Sequence, residues 1–280
     1  MNLTGPNSQN VPSQNAIAVI PARLGSTRLP RKALIELGGK PMVCWVAERA
    51  RAAKNVSRVI IATDSTEILK QAEAHGIEAV MTDLNHASGT DRIAEVAAKL
   101  LDAQIIVNVQ GDEPMISPET IERAVDQLAN ETVAGIVTTW EPINSLEDLL
   151  SFDVVKVVVD EFGYALYFSR SPMPFPRDAA LRHGSPDQAL MTEIELWSNY
   201  KKHTGLYAYR RDVLLEFSRW KPTKLEEYER LEQLRALEHG VKIRVIQAST
   251  SSIGVDTEED LEKVRSLIEE GIMSSRSVSL

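Results

Sequence analysis

The stretch Ala16–Lys32, AIAVIPARLGSTRLPRK, is the one whose reading decides the fold class. Five consecutive apolar residues, Ala16 to Ile20, end at Pro21. An uninterrupted run of that kind is the pattern of a strand buried on both faces of a parallel sheet. The residues after it include Arg23, Arg28, Arg31 and Lys32 and no carboxylate. In open α/β sheets ligands bind outside the carboxyl ends of the strands, so this basic loop is expected at a ligand edge. Gly25 and Ser26 let the backbone come close to whatever binds there. In a chain of formal net charge −9, a local group of four cations points to an anion, phosphate being the commonest. A basic loop that is merely solvated is the alternative.

Working outward, Gly38-Gly39 reads as a turn and Pro41 as a helix start, after which Met42, Trp45, Val46, Ala50 and Ala53 share one face. Apolar runs at Val59–Ala62 and Ile77–Met81 and strand patterns at Ile105–Val109 and Gly135–Trp140 alternate with helical patterns at 65–75, 93–101 and 118–128. Such alternation specifies a mostly parallel sheet flanked by helices. Beyond residue 150 the pattern changes: Val154–Val159, a turn at Asp160–Gly163 and Tyr164–Phe168 read as a β-hairpin, opening an inserted lobe at about 152–210. Ser169–Gln188 holds four prolines and reads as a loop that wraps or covers something. His203–Tyr209 reads as a strand. Thr223 and Glu226 form a capping box that starts a helix running to Gly240. Short strands at Val241–Ile246 and Ile253–Val255 precede a last helix from about Thr257. Residues 16–272 thus form one α/β domain with an insert, between a polar leader expected to be disordered at 1–15 and a flexible tail at 273–280.

At 280 residues and 43% hydrophobic content the chain can bury a sizeable core. Its 40 acidic against 31 basic side chains argue against a general nucleic-acid or membrane-surface binder. The one cysteine, Cys44, cannot form an intrachain disulfide, and no export or membrane-anchoring segment is visible, so a cytoplasmic protein is expected.

Two aspartates stand at strand ends beside the basic loop: Asp112 in VNVQGDEP and Asp256 in IGVDT. Such a pair next to bound phosphates suits Mg²⁺, which takes one or two carboxylates, waters and nucleotide oxygens. The alternative is structural, with Asp112 preceding a turn and Asp256 capping the helix at Thr257. Other nucleotide and catalytic signatures fail on inspection. Gly39-Lys40 is followed by Pro41 where a P-loop needs Ser or Thr, and GxGxxG, HExxH, GxSxG and paired CxxC are absent. In the loop HASGTDR, Ser88 and Gly89 could approach a phosphate or base before Arg92 enters a helix. Alternation places His203, Gly205, Tyr207 and Tyr209 on one strand face, either a sugar lining or an ordinary half-buried strand.

Seven segments, PARLGSTRLPRKAL, HASGTDRIAEV, VNVQGDEPMI, LYFSRSPMPF, HTGLYAYR, YERLEQLRALEHG and GVDTEEDLEKVR, occur in the order of a known family. Over about residues 16–270 the chain closely resembles the 3-deoxy-manno-octulosonate (Kdo) cytidylyltransferases. The resemblance implies a glycosyltransferase-A-like fold and a homodimer whose inserted lobe serves dimerisation and the sugar. It also implies Mg²⁺-dependent transfer of CMP from CTP to the anomeric hydroxyl of Kdo for lipopolysaccharide assembly, with pyrophosphate released. By position, Lys32, Asp112 and Asp256 match the catalytic set, the aspartates as metal ligands. Arg23, Ser26, Arg28, Lys32, Ser88, Gly89, Arg92 and Gln110 match the nucleotide side. Arg170, Arg177, His203, Tyr207, Glu232 and Gln233 match the sugar-acid side, where a guanidinium is the natural partner of a carboxylate. Two departures stand out: Arg31 replaces a usual glycine, and Thr204 puts a hydroxyl beside a sugar contact. The EQLR and HTGLYAYR segments favour Kdo over sialic acid as acceptor and leave the substituent at carbon 8 open. A catalytically silent homologue is disfavoured by the retention of Lys32, Asp112 and Asp256.

Overall fold

The computed structural model describes residues 15–25 and 29–277. Ser26 and Arg28 of the basic loop, the leader up to residue 14 and residues 278–280 lie outside them. In chain order, β1 (Ala16–Ala22) leads through a 3-10 turn at Lys32–Leu34 to a hairpin, β2 (Glu36–Leu37) and β3 (Lys40–Pro41). Next come α1 (Met42–Arg51), β4 (Val56–Thr63), α2 (Thr66–Ala74), β5 (Glu78–Met81), α3 (Gly89–Lys99), β6 (Ile105–Asn108), α4 (Pro118–Asn130) and β7 (Ile136–Pro142). The insert holds α5 (Leu146–Leu150), β8 (Lys156–Val159), β9 (Ala165–Ser169), α6 (Arg177–His183) and α7 (Pro186–Thr192). The chain closes with β10 (Lys201–Arg210), α8 (Arg211–Phe217), α9 (Lys224–Glu229), α10 (Gln233–Glu238), β11 (Ile243–Gln247) and α11 (Glu258–Ser277).

The main sheet runs β11-β7-β10-β6-β1-β4-β5, with the β8–β9 hairpin attached through β10. β1 pairs in parallel with β4 on one side and β6 on the other. Its apolar run is continuous because both faces are covered. Ala16, Ala18 and Ile20 pack with α1, α2 and α4, while Ile17 and Val19 pack with α3 and α8. From β1 the order extends to β4 and β5 in one direction and to β6 in the other. That switch point opens a crevice at the carboxyl ends of β1 and β6.

The mostly parallel, helix-flanked sheet is as expected; several local readings change. β10, read as part of the lobe, is a central strand antiparallel to both β6 and β7. Hydrophobic pattern identifies a strand but not its neighbours. The segment after Ser169, read as loop, contains α6 and α7, and the second helix is capped by Ser185, whose hydroxyl accepts from Gln188 N–H at 3.1 Å. The helix expected from Thr223 to Gly240 is broken into α9 and α10 by Arg230 in the left-handed region (φ 56°). Ile253–Val255 forms no strand. α11 runs to Ser277, into the expected tail, with Leu261, Val264 and Ile268 packed on Leu29, Leu37 and Met42.

Arg31, where the resemblance has glycine, sits at φ 59°, ψ 30°. A side chain there costs about 1–2 kcal/mol, and the Arg31–Glu67 ion pair, more than half exposed on the arginine side, offsets little of it. Glycine's extra backbone entropy takes back about 0.5–1 kcal/mol. Arg31→Gly is therefore expected to stabilise the fold by up to about 1 kcal/mol, measured as a higher urea midpoint; a lower midpoint would mean that the ion pair outweighs the strain.

Candidate active site

The crevice is a cleft of about 390 Å³ at the carboxyl ends of β1 and β6. Its walls bring together Arg23 and Lys32 from the loop after β1, Ser88, Gly89 and Arg92 from the start of α3, and Gln110 and Asp112 from the loop after β6. Asp256, from the loop before α11, completes it. These eight positions are scattered over more than two hundred residues of sequence, and the strand order together with the loop before α11 converges them.

Gly111 makes the closest approach. A Cβ there would lie 2.9 Å from the Pro21 carbonyl oxygen, so any side chain would push the β6 loop off the β1 loop. Asp112 is thereby held over the basic loop. Asp256 is brought to it by a backbone bond, Val255 N–H donating to the Asp112 carbonyl at 2.9 Å. The capping alternative for Asp256 fails, because Thr257 is the cap: its hydroxyl accepts from Asp260 N–H at 3.2 Å and donates to Asp260 Oδ2 at 2.8 Å. Lys32 lies between the two aspartates, its Nζ donating to Asp112 Oδ2 at 2.5 Å and Asp256 Oδ1 at 2.9 Å. Burial alone pulls the ammonium's pKa down, but the charges and hydrogen bonds of Asp112 and Asp256 outweigh it and hold the pKa above the usual lysine value.

On the opposite wall, α3 begins at the cap Ser88, whose hydroxyl accepts from Asp91 N–H at 3.2 Å. Its free N–H groups and dipole favour an anion in the cleft. Arg92 is buried and donates to Asp64 Oδ2 at 2.6 Å and to the Thr82 hydroxyl, so it braces this wall. Gln110 Nε2 donates to Asn108 Oδ1 and to the Gly205 carbonyl, both at 3.2 Å, tying the β6 loop to β10. Gly205 is needed for this contact, since a Cβ there would stand 3.0 Å from Gln110 Cγ.

The expected sugar-side residues lie outside the lining of this cleft. His203, Tyr207 and Tyr209 form a ring ladder on one face of β10, with centroids 5.4 and 5.7 Å apart. Burial lowers the His203 pKa to about 3, so the ring is neutral at pH 7, and its Nε2 meets the Thr138 hydroxyl at 2.9 Å. The departure at Thr204 is absorbed by a hydrogen bond to the Thr139 hydroxyl. Glu232 opens α10 beside α3: burial raises its carboxyl pKa, while hydrogen bonds from Thr90 and Ser88 act against that. Gln233 is buried in α10. Arg170 donates to the Glu229 carbonyl at 2.9 Å and the Phe152 carbonyl at 2.7 Å, and exposed Arg177 pairs with Asp178 at 3.1 Å. Reading the sequence missed Asp64, although its position directly after the apolar run of β4 is the same signal that singled out Asp112. It also missed Glu113, which burial and the charges of Asp112 and Glu141 push up to about 8.

A family model described as cytidylyltransferase matches residues 17–243. A relative in Geobacter sulfurreducens named 3-deoxy-manno-octulosonate cytidylyltransferase is 50% identical over 250 residues, 89% of this chain and 98% of its own. The chain belongs to the 3-deoxy-manno-octulosonate cytidylyltransferase family. A second such relative, from Geobacter metallireducens, is 52% identical over 247 residues, covering 88% of this chain and 95% of its own. A solved CMP:2-keto-3-deoxy-manno-octonic acid synthetase complexed with CTP superposes with a TM-score of 0.81 at 41% identity, over 92% of this chain and 99% of that one. Among the described residues, this cytidylyltransferase has no group of three or more His, Cys, Asp or Glu able to hold a metal ion. The all-oxygen pair Asp112 and Asp256 instead suits a hard divalent cation that takes its remaining ligands from phosphate and water. Nor do the described residues contain a helix long and apolar enough to cross a membrane.

Proposed function

We propose that this chain transfers CMP from CTP to the anomeric hydroxyl of Kdo, giving CMP-Kdo and pyrophosphate. The observation that carries the reading is the convergence of Lys32, Asp112 and Asp256 in a cleft whose other wall is the N-terminus of α3. Arg23 and Lys32 neutralise the triphosphate as its charge shifts toward the departing pyrophosphate, with Arg28 and Ser26 assigned to the same loop. Ser88, Gly89, Arg92 and Gln110 orient the nucleotide, Arg92 by holding the α3 wall through Asp64. Asp112 and Asp256 would hold Mg²⁺, which supplies charge neutralisation at the α-phosphate and acidifies the attacking hydroxyl. No covalent intermediate with the protein is required.

The sugar acid is assigned to the side of the site formed by β10, the insert and α10, with His203, Tyr207, Glu232 and Gln233 contacting hydroxyls and Arg170 or Arg177 meeting the carboxylate. A homodimer is part of the proposal, supported by large apolar side chains exposed on the insert: Phe152, Phe175, Leu181 and Ile194 are 63–74% exposed. A cytoplasmic location fits the absence of a membrane-crossing helix among the described residues.

The test is pyrophosphate release from CTP and Mg²⁺ with Kdo, 8-amino-Kdo and sialic acid in parallel. Release with Kdo is expected. Release only with another acid would reassign the acceptor. Tight CTP binding without release with any acid would leave a silent nucleotide-binding homologue.

A further inference from the structure

Lys32 occupies the position between the two carboxylates. Its Nζ lies 2.5 Å from Asp112 Oδ2 and 2.9 Å from Asp256 Oδ1. A divalent cation bound by the same pair needs those oxygens at about 2.0–2.1 Å for Mg²⁺, and an ammonium at hydrogen-bond distance from both fills that space. The pair is held together by the backbone bond from Val255 to Asp112, so the carboxylates stay adjacent whatever cation lies between them. Lysine is suited to changing partners, since its charge is a point on a flexible four-carbon stem. The N-terminus of α3 on the opposite wall of the same cleft favours an anion, and an anion held there would draw the ammonium away from the carboxylates.

We propose that Lys32 is a resident counter-ion that gates the cation site: it neutralises Asp112 and Asp256 when no divalent cation is bound and must leave them before one can bind. The inference rests on the cytidylyltransferase reading only in naming triphosphate as the group that then receives Lys32. Because the phosphates draw off the ammonium that competes with the cation, cation and nucleotide load with positive coupling. The lysine passes from the carboxylates to the phosphate at the moment both substrate charge and metal arrive. The cleft thereby resists filling with metal before substrate arrives.

The experiment is Mn²⁺ binding to the full chain, followed by electron paramagnetic resonance of the free ion, without CTP or sugar acid. Lys32→Met is expected to bind Mn²⁺ about tenfold more tightly than the unaltered protein, within the range typical of coupling between sites. Lys32→Arg, which keeps the charge, is expected to stay weak. Equal or weaker binding by Lys32→Met would overturn the gate. A second measurement needs no variant: reductive methylation of Lys32, read by mass spectrometry, is expected to speed up when Mg²⁺ alone is added, as the amine is displaced from its carboxylates. Unchanged labelling at saturating Mg²⁺ would equally overturn it. Neither arm depends on turnover, so a protein failing the pyrophosphate assay would still report on the gate.

Discussion

Asp112→Asn is expected to lower pyrophosphate release by more than about a hundredfold while CTP still binds. Changing a group that merely orients a metal ligand costs about 10- to 100-fold, and Asp112 is assigned as a ligand itself. Asparagine keeps the shape of the side chain and removes one negative charge from a cleft meant for a triphosphate, so nucleotide binding is not weakened electrostatically. The fold has little at stake: the Asp112 side chain is 32% exposed, and its pairing with Lys32 is worth about 1 kcal/mol or less after solvent screening. Steady-state pyrophosphate release, equilibrium CTP titration and thermal melting together check the expectation. Activity within tenfold of the unaltered protein would remove Asp112 from the catalytic set.

Lys156→Met is expected to destabilise the insert by about 3 kcal/mol or more, since each buried carbonyl left without a donor costs about 1–3 kcal/mol. Lys156 is fully buried in β8, and its Nζ donates to the carbonyls of Ser151, Val154 and Arg170 at 2.6, 2.8 and 3.1 Å. Three ammonium hydrogens meet three acceptors, which ties the entry of the insert, the start of the hairpin and the segment after β9 at one point. Burial lowers the ammonium pKa to about 8, so it remains mostly charged at pH 7 and keeps all three donors. Methionine fills the same length with no donor. Urea unfolding read by circular dichroism, with proteolysis mapping cuts to 150–200, measures the loss. A midpoint within experimental error of the unaltered protein would mean that water satisfies the three carbonyls.

These two residues also mark how much could be read before folding. Asp112 was visible because a short loop directly after the strand pattern Ile105–Val109, containing glycine and a carboxylate, has a physical meaning in an open parallel sheet. Lys156 was not, because a lysine in a strand pattern reads as an exposed position, and only the surrounding backbone shows that its three hydrogens are spent. Asp256 lay between these cases: the sequence offered metal ligand or helix cap, and the Thr257–Asp260 hydrogen bonds gave the capping role to Thr257.

The sequence by itself determined the alternating parallel sheet, the basic loop at the end of β1, both aspartates and the family resemblance, because periodicity, strand-end position and motif order are properties of local stretches. The tertiary structure alone decided that β10 runs antiparallel between β6 and β7, that the expected Thr223–Gly240 helix breaks at Arg230, and that Lys32 lies between Asp112 and Asp256. Each of these depends on which distant segments become neighbours, and that is set by packing and backbone pairing across the chain rather than by the residues on either side.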